Sequence, residues 1–345
     1  TLDKLAGEYA DELANLGVRV SNLEKKVGNL YWSGDARMRY TASSSDKKAD
    51  VYDGRIRLNV KGQVNDATYV QGQFVNNMNF KDEASSNTTM AQIYVNHNFN
   101  KNVAVRLGRQ PIAFGNQGGW LYNGLEGYDG AQASYNNGKL SLTTGFGQLN
   151  ASVFTDDTDP DGNVISYGVT GTDMYFAKGA YDFGFAKLGA DYVKFQGDTN
   201  STDHYVAGDE LYGINLNIPV QKFNVFGEYW KNTNAADKYD TAWNAGLSYG
   251  KADWKKAGTW DLSVAYNDVD YNVYFGGGTW HNDMLKNFTA GYLNAYNLTF
   301  WTAIANVTLQ KNVQLHAEYA FAADAEGTNG VDPDDSWTVS LNYKF

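Results

Sequence analysis

From residue 30 onward, apolar and polar residues alternate with a period of two. In the last run Trp337, Val339, Leu341, Tyr343 and Phe345 alternate with Ser336, Thr338, Ser340, Asn342 and Lys344. Tyr212, Ile214, Leu216 and Ile218 do the same against Gly213, Asn215 and Asn217. So do Trp243, Ala245, Leu247 and Tyr249 against Asn244, Gly246 and Ser248. Successive side chains of a strand point to opposite faces, so each run predicts a strand with one apolar and one polar face. About sixteen such segments of near ten residues recur, the length a tilted strand needs to cross a bilayer.

The connections alternate as well. Short turns fall at Asn65-Asp66, Asn100-Lys101, Asn137-Gly138, around Gly184, at Pro219-Val220 and at Gln310-Lys311, with a longer one over residues 251–258. Between them lie polar loops at 41–52, 79–88, 111–127, 155–172, 197–208, 232–238, 269–295 and 324–335. Short turns on one side and long loops on the other are the plan of an outer-membrane barrel. A soluble propeller would need a fixed repeat of about 40 residues, and none is visible. A soluble sandwich would not set Trp, Tyr and Phe opposite the polar face in nearly every strand. The predicted fold is an all-β transmembrane barrel of antiparallel strands, residues 30–345. An even strand number puts both chain ends on the short-turn, periplasmic side.

Residues 1–29 follow a different period. Leu2, Ala6, Tyr9, Leu13, Leu16, Val20, Leu23, Val27 and Leu30 are spaced by alternating steps of four and three. This is a heptad seam, with Ala6, Leu13, Val20 and Val27 at a and the others at d. Glu12, Arg19, Glu24, Lys25 and Lys26 flank it, and Gly17 weakens the helix by about 1 kcal/mol. The pattern predicts a periplasmic α-helical coiled-coil stalk; the alternative is an amphipathic helix lying on the rest of the protein.

Composition narrows the class. Aromatics make up 15% of the chain, with 36 glycines, 4 prolines and no cysteine, a mix that suits β-structure with many turns. The formal charge of −11 argues against nucleic acid as a partner. Without cysteine there are no disulfides and no thiolate metal sites. Mean hydropathy is −0.50, yet a barrel strand shows lipid only alternate residues, so this does not exclude the membrane. No signal peptide is evident, and the first residue is read as a processed or truncated end.

The chain's arginines are unevenly placed: none follows residue 109. Arg37 and Arg39 alternate with Ala36, Met38 and Tyr40; Arg55, Arg57 and Lys61 alternate with Ile56, Leu58 and Val60; Arg106 sits between Val105 and Leu107. An arginine facing lipid near the midplane costs about 2–4 kcal/mol, so these side chains are expected to face the lumen. With Arg109 they form a basic ladder that would orient anions and polar solutes. The alternative is that they brace the wall by pairing with lumen acids such as Asp35 and Glu318. The loop over 111–127 is long, Gly-rich and aromatic. It is expected to fold inward, with Glu126 and Asp129 as constriction acids opposite the ladder; the alternative is a loop covering the outer rim.

Asp157, Asp159, Asp161 and Gly162 imitate the start of a calcium loop, but Pro160 interrupts it and Gly168 stands where the closing Glu belongs. An acidic surface loop is the better reading, and no metal or cofactor is expected. His97, His204, His281 and His316 are scattered, with no metalloprotease or nucleophile-elbow motif, so no enzyme is expected.

Three features carry a resemblance to known proteins. Trp337, Val339, Leu341, Tyr343 and the terminal Phe345 resemble the insertion signal of outer-membrane barrels. Leu107-Gly108-Arg109-Gln110 resembles the approach to the constriction loop of trimeric porins. With the heptad helix running into Tyr31-Trp32-Ser33-Gly34-Asp35, the whole chain resembles the OmpM-type porins of double-membraned Firmicutes. The resemblance implies a homotrimer in outer-membrane lipid that passes small hydrophilic solutes. In that family an S-layer-homology domain binds the wall ahead of the coiled coil. Peptidoglycan would thus be reached only through a domain this chain does not contain. A primarily structural tether and a solute-specific channel remain open beside general diffusion, as does the sign of ion selectivity.

Overall fold

The computed structural model describes residues 9–10, 12–14, 16, 28–44, 50–81, 86–115, 120–149, 157–158, 164–165, 172–196, 210–235, 238–273, 284, 295–327 and 332–345. In chain order the strands are β1 (Leu30–Ser43), β2 (Val51–Asn65), β3 (Thr68–Asn79), β4 (Ser86–Asn98), β5 (Val103–Phe114) and β6 (Tyr122–Asn136). There follow β7 (Leu140–Leu149), β8 (Asp157–Thr158), β9 (Val164–Ile165), β10 (Thr172–Asp182), β11 (Lys187–Gln196) and β12 (Glu210–Val220). The last six are β13 (Phe223–Asn232), β14 (Thr241–Gly250), β15 (Trp260–Asp270), β16 (Ala295–Gln310), β17 (Val313–Gly327) and β18 (Ser336–Lys344). All but β8 and β9 close into one barrel of 16 antiparallel strands, each beside its neighbour in sequence, with β7 next to β10 and β18 next to β1. β8 and β9 pair with each other in a separate two-stranded sheet.

Closure is made by β1 and β18, from Asp35 opposite Lys344 to Ser43 opposite Ser336. Gly34 and Phe345 then exchange two backbone hydrogen bonds, at 2.8 and 3.0 Å. The approach leaves no room for a side chain: a Cβ on Gly34 would lie 2.5 Å from the Arg57 carbonyl and 2.6 Å from the Phe345 ring. The pairing of β4 with β5 is short by comparison, from Ile93 opposite Arg109 only to Asn98 opposite Ala104.

One rim carries the short turns. That between β12 and β13 lies at Gln221 and Lys222, with Gln221 at φ 58°. This is two residues beyond the Pro219-Val220 turn expected from sequence. Pro219 is instead the penultimate residue of β12, opposite Asn224, near the strand end where its missing N–H is tolerated.

The outer face carries the apolar half of each strand, and its aromatics form a regular belt toward the long-loop rim. Across six strand pairs two aromatics stand opposite each other: Tyr40 and Tyr52, Phe146 and Tyr175, Tyr192 and Tyr212, Tyr229 and Trp243, Tyr266 and Trp301, Tyr319 and Trp337. Tyr192 and Tyr212 have ring centroids 5.0 Å apart, and Tyr266 and Trp301 5.3 Å. Between successive pairs the series steps by two residues, following the strand tilt: Tyr175 lies opposite Lys194, two beyond Tyr192, and Trp243 opposite Asp268, two beyond Tyr266. Near the short-turn rim a second belt includes Phe223, Tyr249 and Trp260, with centroids 4.9 and 5.6 Å apart. Aromatic girdles of this kind mark the two interfaces of a membrane barrel. Among the described residues no helix is long and apolar enough to cross a membrane.

In the expected stalk, Tyr9, Ala10, Glu12, Leu13, Ala14 and Leu16 are helical. Tyr9, Leu13 and Leu16 are 62%, 68% and 55% exposed. The seam positions Leu2, Ala6, Val20, Leu23 and Val27 lie outside the described residues. Leu30 does not continue the seam. It is the first residue of β1, opposite Gly62, because the period-two pattern of Leu30, Trp32 and Gly34 overrides the last heptad position.

Candidate functional site

The inside of a closed barrel is identified by contacts that cross it. The Trp120 indole N–H, on the connection between β5 and β6, donates to Asn267 Oδ1 on β15 at 3.0 Å. The Gly115 amide donates to Asp191 Oδ2 on β11 at 3.3 Å, and Lys178 Nζ on β10 donates to the Ala113 carbonyl. Asp191, Lys178 and Asn267 therefore face inward. Residues opposite each other on paired strands share a face, so the register carries that assignment around the wall. Asn267 and the inward Thr302 lead to Ala320, then Glu318 to Thr338, and His316 to Ser340. Ser340 stands opposite Arg39, and Asn342 opposite Arg37.

On β1 and β2 the inner face is a compact charged lattice. Asp35 stands opposite Arg57, Arg37 opposite Arg55, and Arg39 opposite Asp53. Each aspartate holds two arginines across the strand gap. Asp35 accepts from Arg57 Nε at 2.8 Å and lies 3.5 Å from Arg55. Asp53 accepts from Arg39 Nε at 2.7 Å and from Arg37 at 3.4 Å. Arg37 is buried, 8% exposed. Further along the same wall, the Lys61 ammonium lies 4.4 Å from the Tyr69 ring and the Arg106 guanidinium 4.5 Å from the Tyr94 ring. Six cations thus line β1, β2 and β5 with two carboxylates among them. Asp35 braces the arginines as the sequence suggested. Glu318 takes a hydrogen bond from His316 at 2.8 Å. Asp53 was not singled out, although it shares the inward parity of Arg55 and Arg57.

Arg109 departs from the ladder. Three residues from Arg106, it falls on the opposite parity, and the register places it outside. Its partner is Asp129, expected at the constriction: Arg109 Nε and Nη2 each donate to that carboxylate at 2.8 Å. Two residues from Phe146 along β7 stands Gln148, opposite Asp129, and Asp129 is opposite Arg109. The aromatic belt's two-residue step thus arrives at this pair, and the rings are replaced by charges. Glu126 lies on β6, and its side chain is outside the described residues.

The inward loop is narrower than its sequence span. Residues 111–114 extend β5 and 122–127 begin β6, with a bulge between Gln110 and Ile112. Its aromatics reach the far wall: Phe114 packs on Phe176 and Trp230 at 5.9 and 6.4 Å. Trp120, Leu121 and Tyr122 are at most 1% exposed. Gly115, at φ 91°, sits where a Cβ would meet Glu228 Oε2 at 2.5 Å, so only glycine allows this approach. The loop rests against β10 to β15 and leaves the arginine wall uncovered by these contacts. Lys178, Asp191 and Asn267 anchor it by hydrogen bonds, and Glu228 lies against Gly115. Sequence reading missed them because each is a lone polar residue among inward positions, with no local motif.

At the long-loop rim Tyr239 donates to Glu326 at 2.7 Å, which raises its phenol above the usual range. Asp157 lies on β8, while Asp159 and Asp161 lie outside the described residues. Among the described residues no group of three His, Asp or Glu is placed to hold a metal ion. Trp337, Val339, Leu341 and Tyr343 lie on the outer face of β18, and Phe345 is 60% exposed.

No family model matches the chain, and no curated protein does. Solved structures do. Pseudomonas putida OprB aligns with 95% of this chain and 96% of its own at 10% identity, with a TM-score of 0.62. A multiply substituted Rhodopseudomonas blastica porin aligns over 92% of this chain and all of its own at 12% identity and a TM-score of 0.57. A doubly substituted variant of that porin, with one change to tryptophan, gives 11% and 0.58 over the same shares. At such low identity the likeness is one of fold: this chain has the sixteen-strand barrel of bacterial porins.

Proposed function

We propose that the chain is an OmpM-type porin: an outer-membrane channel through which small hydrophilic solutes and ions diffuse passively. The observation that carries this reading is the charged lattice of Asp35, Arg37, Arg39, Asp53, Arg55 and Arg57 inside a barrel ringed outside by aromatics. Cations in excess of carboxylates on a water-filled wall attract anions over about a Debye length, roughly 8–10 Å. No catalytic group or cofactor enters the proposal. Purified protein added to a planar bilayer should give stepwise conductance increments; a folded barrel giving none would overturn the reading.

The assembly we propose is a homotrimer in contact through β3 to β6. Supporting it is the gap in the aromatic belt, where Met78, Arg109 and Asp129 stand in place of rings. Val70, Phe74, Met90, Ile93, Val95, Val105, Leu107, Ala131 and Ala133 lie on the outer face below. A wall that meets protein needs no interfacial rings. Residues 1–29 would form the periplasmic coiled coil, three exposed apolar positions of which are described. The stalk would be one part of a link between outer membrane and peptidoglycan. Trp337 through Phe345 would serve as the barrel insertion signal.

A further inference from the structure

Against the inner wall, between the docked loop and the short-turn rim, lies a cavity of about 230 Å³ that the channel reading does not use. It opens where Ala180 and Gly189 leave the wall without long side chains. The register sets Ser141, Ala180, Gly189 and Asn215 in one row, with Thr143, Lys178 and Asp191 in the next. Gly115 of the inward loop forms its roof.

Its chemistry is unequal. Asp191 accepts the Gly115 amide and has Lys178 beside it, while Lys178 donates to the Ala113 carbonyl. Both are taken up in holding the loop. Lys187 is different. It lines the cavity, is exposed, and makes no ion pair among the described residues. Asp182, opposite it in register, is turned to the Gly184 amide at 2.7 Å. The cavity therefore presents one ammonium that makes no ion pair among the described residues, together with the Ser141 and Thr143 hydroxyls and the Asn215 amide. An ammonium selects an anion, and flanking hydroxyls and an amide exchange hydrogen bonds with hydroxyl groups.

We propose that this cavity is a solute-binding subsite just inside the constriction, taking small carboxylates that carry hydroxyl groups. It rests on the channel reading. A solute that has passed the loop would pause there, with its carboxylate on Lys187 and its hydroxyls on Ser141, Thr143 and Asn215.

The test is single-channel recording with gluconate, and with glucose as its neutral counterpart, added on the short-turn side. Gluconate should interrupt the current through the unmodified protein. Lys187→Gln should shorten those interruptions about tenfold, the scale of a lost charge-assisted hydrogen bond. Ala180→Leu, which fills the hollow, should abolish them, and Lys101→Gln on an exposed turn should change nothing. Glucose events should be insensitive to Lys187→Gln. Steady conductance with no gluconate interruption, or interruptions in Lys187→Gln and Ala180→Leu equal to those of the unmodified protein, would overturn the subsite and leave the channel standing. Absence of any conductance step would overturn both.

Discussion

Arg109 and Asp129 form a two-point ion pair, both hydrogen bonds at 2.8 Å, on the outer face at the level where twelve aromatics ring the other strands. A charge pair there is expensive in lipid and well placed between subunits. Arg109→Ala alone removes both of these hydrogen bonds from the Asp129 carboxylate and should weaken assembly more than Arg109→Ala with Asp129→Ala. Cross-linking or native mass measurement would show the trimer fraction falling most in the single variant. Neither variant should move the reversal potential. A shift would return the pair to the channel.

Arg55 and Arg57 share Asp35, and among the described residues no other arginine pairs with it. Replacing both by Gln removes two positive charges from the wall and leaves Asp35 uncompensated. The reversal potential in a salt gradient should move toward cation preference. If it does not move, the lattice braces the wall without steering ions.

Trp120 holds the inward loop by burial and by its bond to Asn267. Trp120→Ala should cost the docked loop about 3–5 kcal/mol. Conductance should rise, current noise should increase, and larger sugars should enter swelling liposomes. An unchanged conductance in a folded barrel would place the narrowest point elsewhere.

Gly34 admits the closing strand, so Gly34→Val should overpack the β1–β18 seam by about 1–3 kcal/mol. Gel mobility before and after heating reports barrel closure. The variant should show a lower folded fraction or a lower conversion temperature, and equal behaviour would contradict the tight approach.

Charged residues at Leu16 and Leu23 should disorder the stalk and leave the barrel trimer intact. Circular dichroism should lose helical signal while cross-linked trimers persist. Loss of the trimer would make the helices, not the barrel wall, the main contact.

Much of this architecture was readable from alternation alone, because one face of every strand must be apolar. The same rule makes a single residue decisive. Arg106 and Arg109 look like neighbours in sequence, but an odd separation sends them to opposite sides of the wall. Leu30 satisfied a heptad and a strand equally, and pairing with Gly62 chose the strand. The loop anchors were beyond reach for another reason. Lys178, Asp191, Glu228 and Asn267 come together only when the barrel closes and the loop turns in. Nothing in the separation of residues 115 and 191, or 120 and 267, announces that meeting.

The brief pairing of β4 with β5, Ile93 to Asn98 against Ala104 to Arg109, sets an order of unzipping. A ring of strands opens first where the fewest ladder bonds hold it, and among the described residues that place falls within the wall that lacks the aromatic belt. A lone subunit would part between β4 and β5, exposing two edges able to pair with other chains. A neighbour laid across that wall would act as a splint. Amide exchange at residues 93–98 and 104–109 would then be fast in separated subunits and slow in the assembly. The barrel's resistance to heat would become a property of the group and not of the single ring.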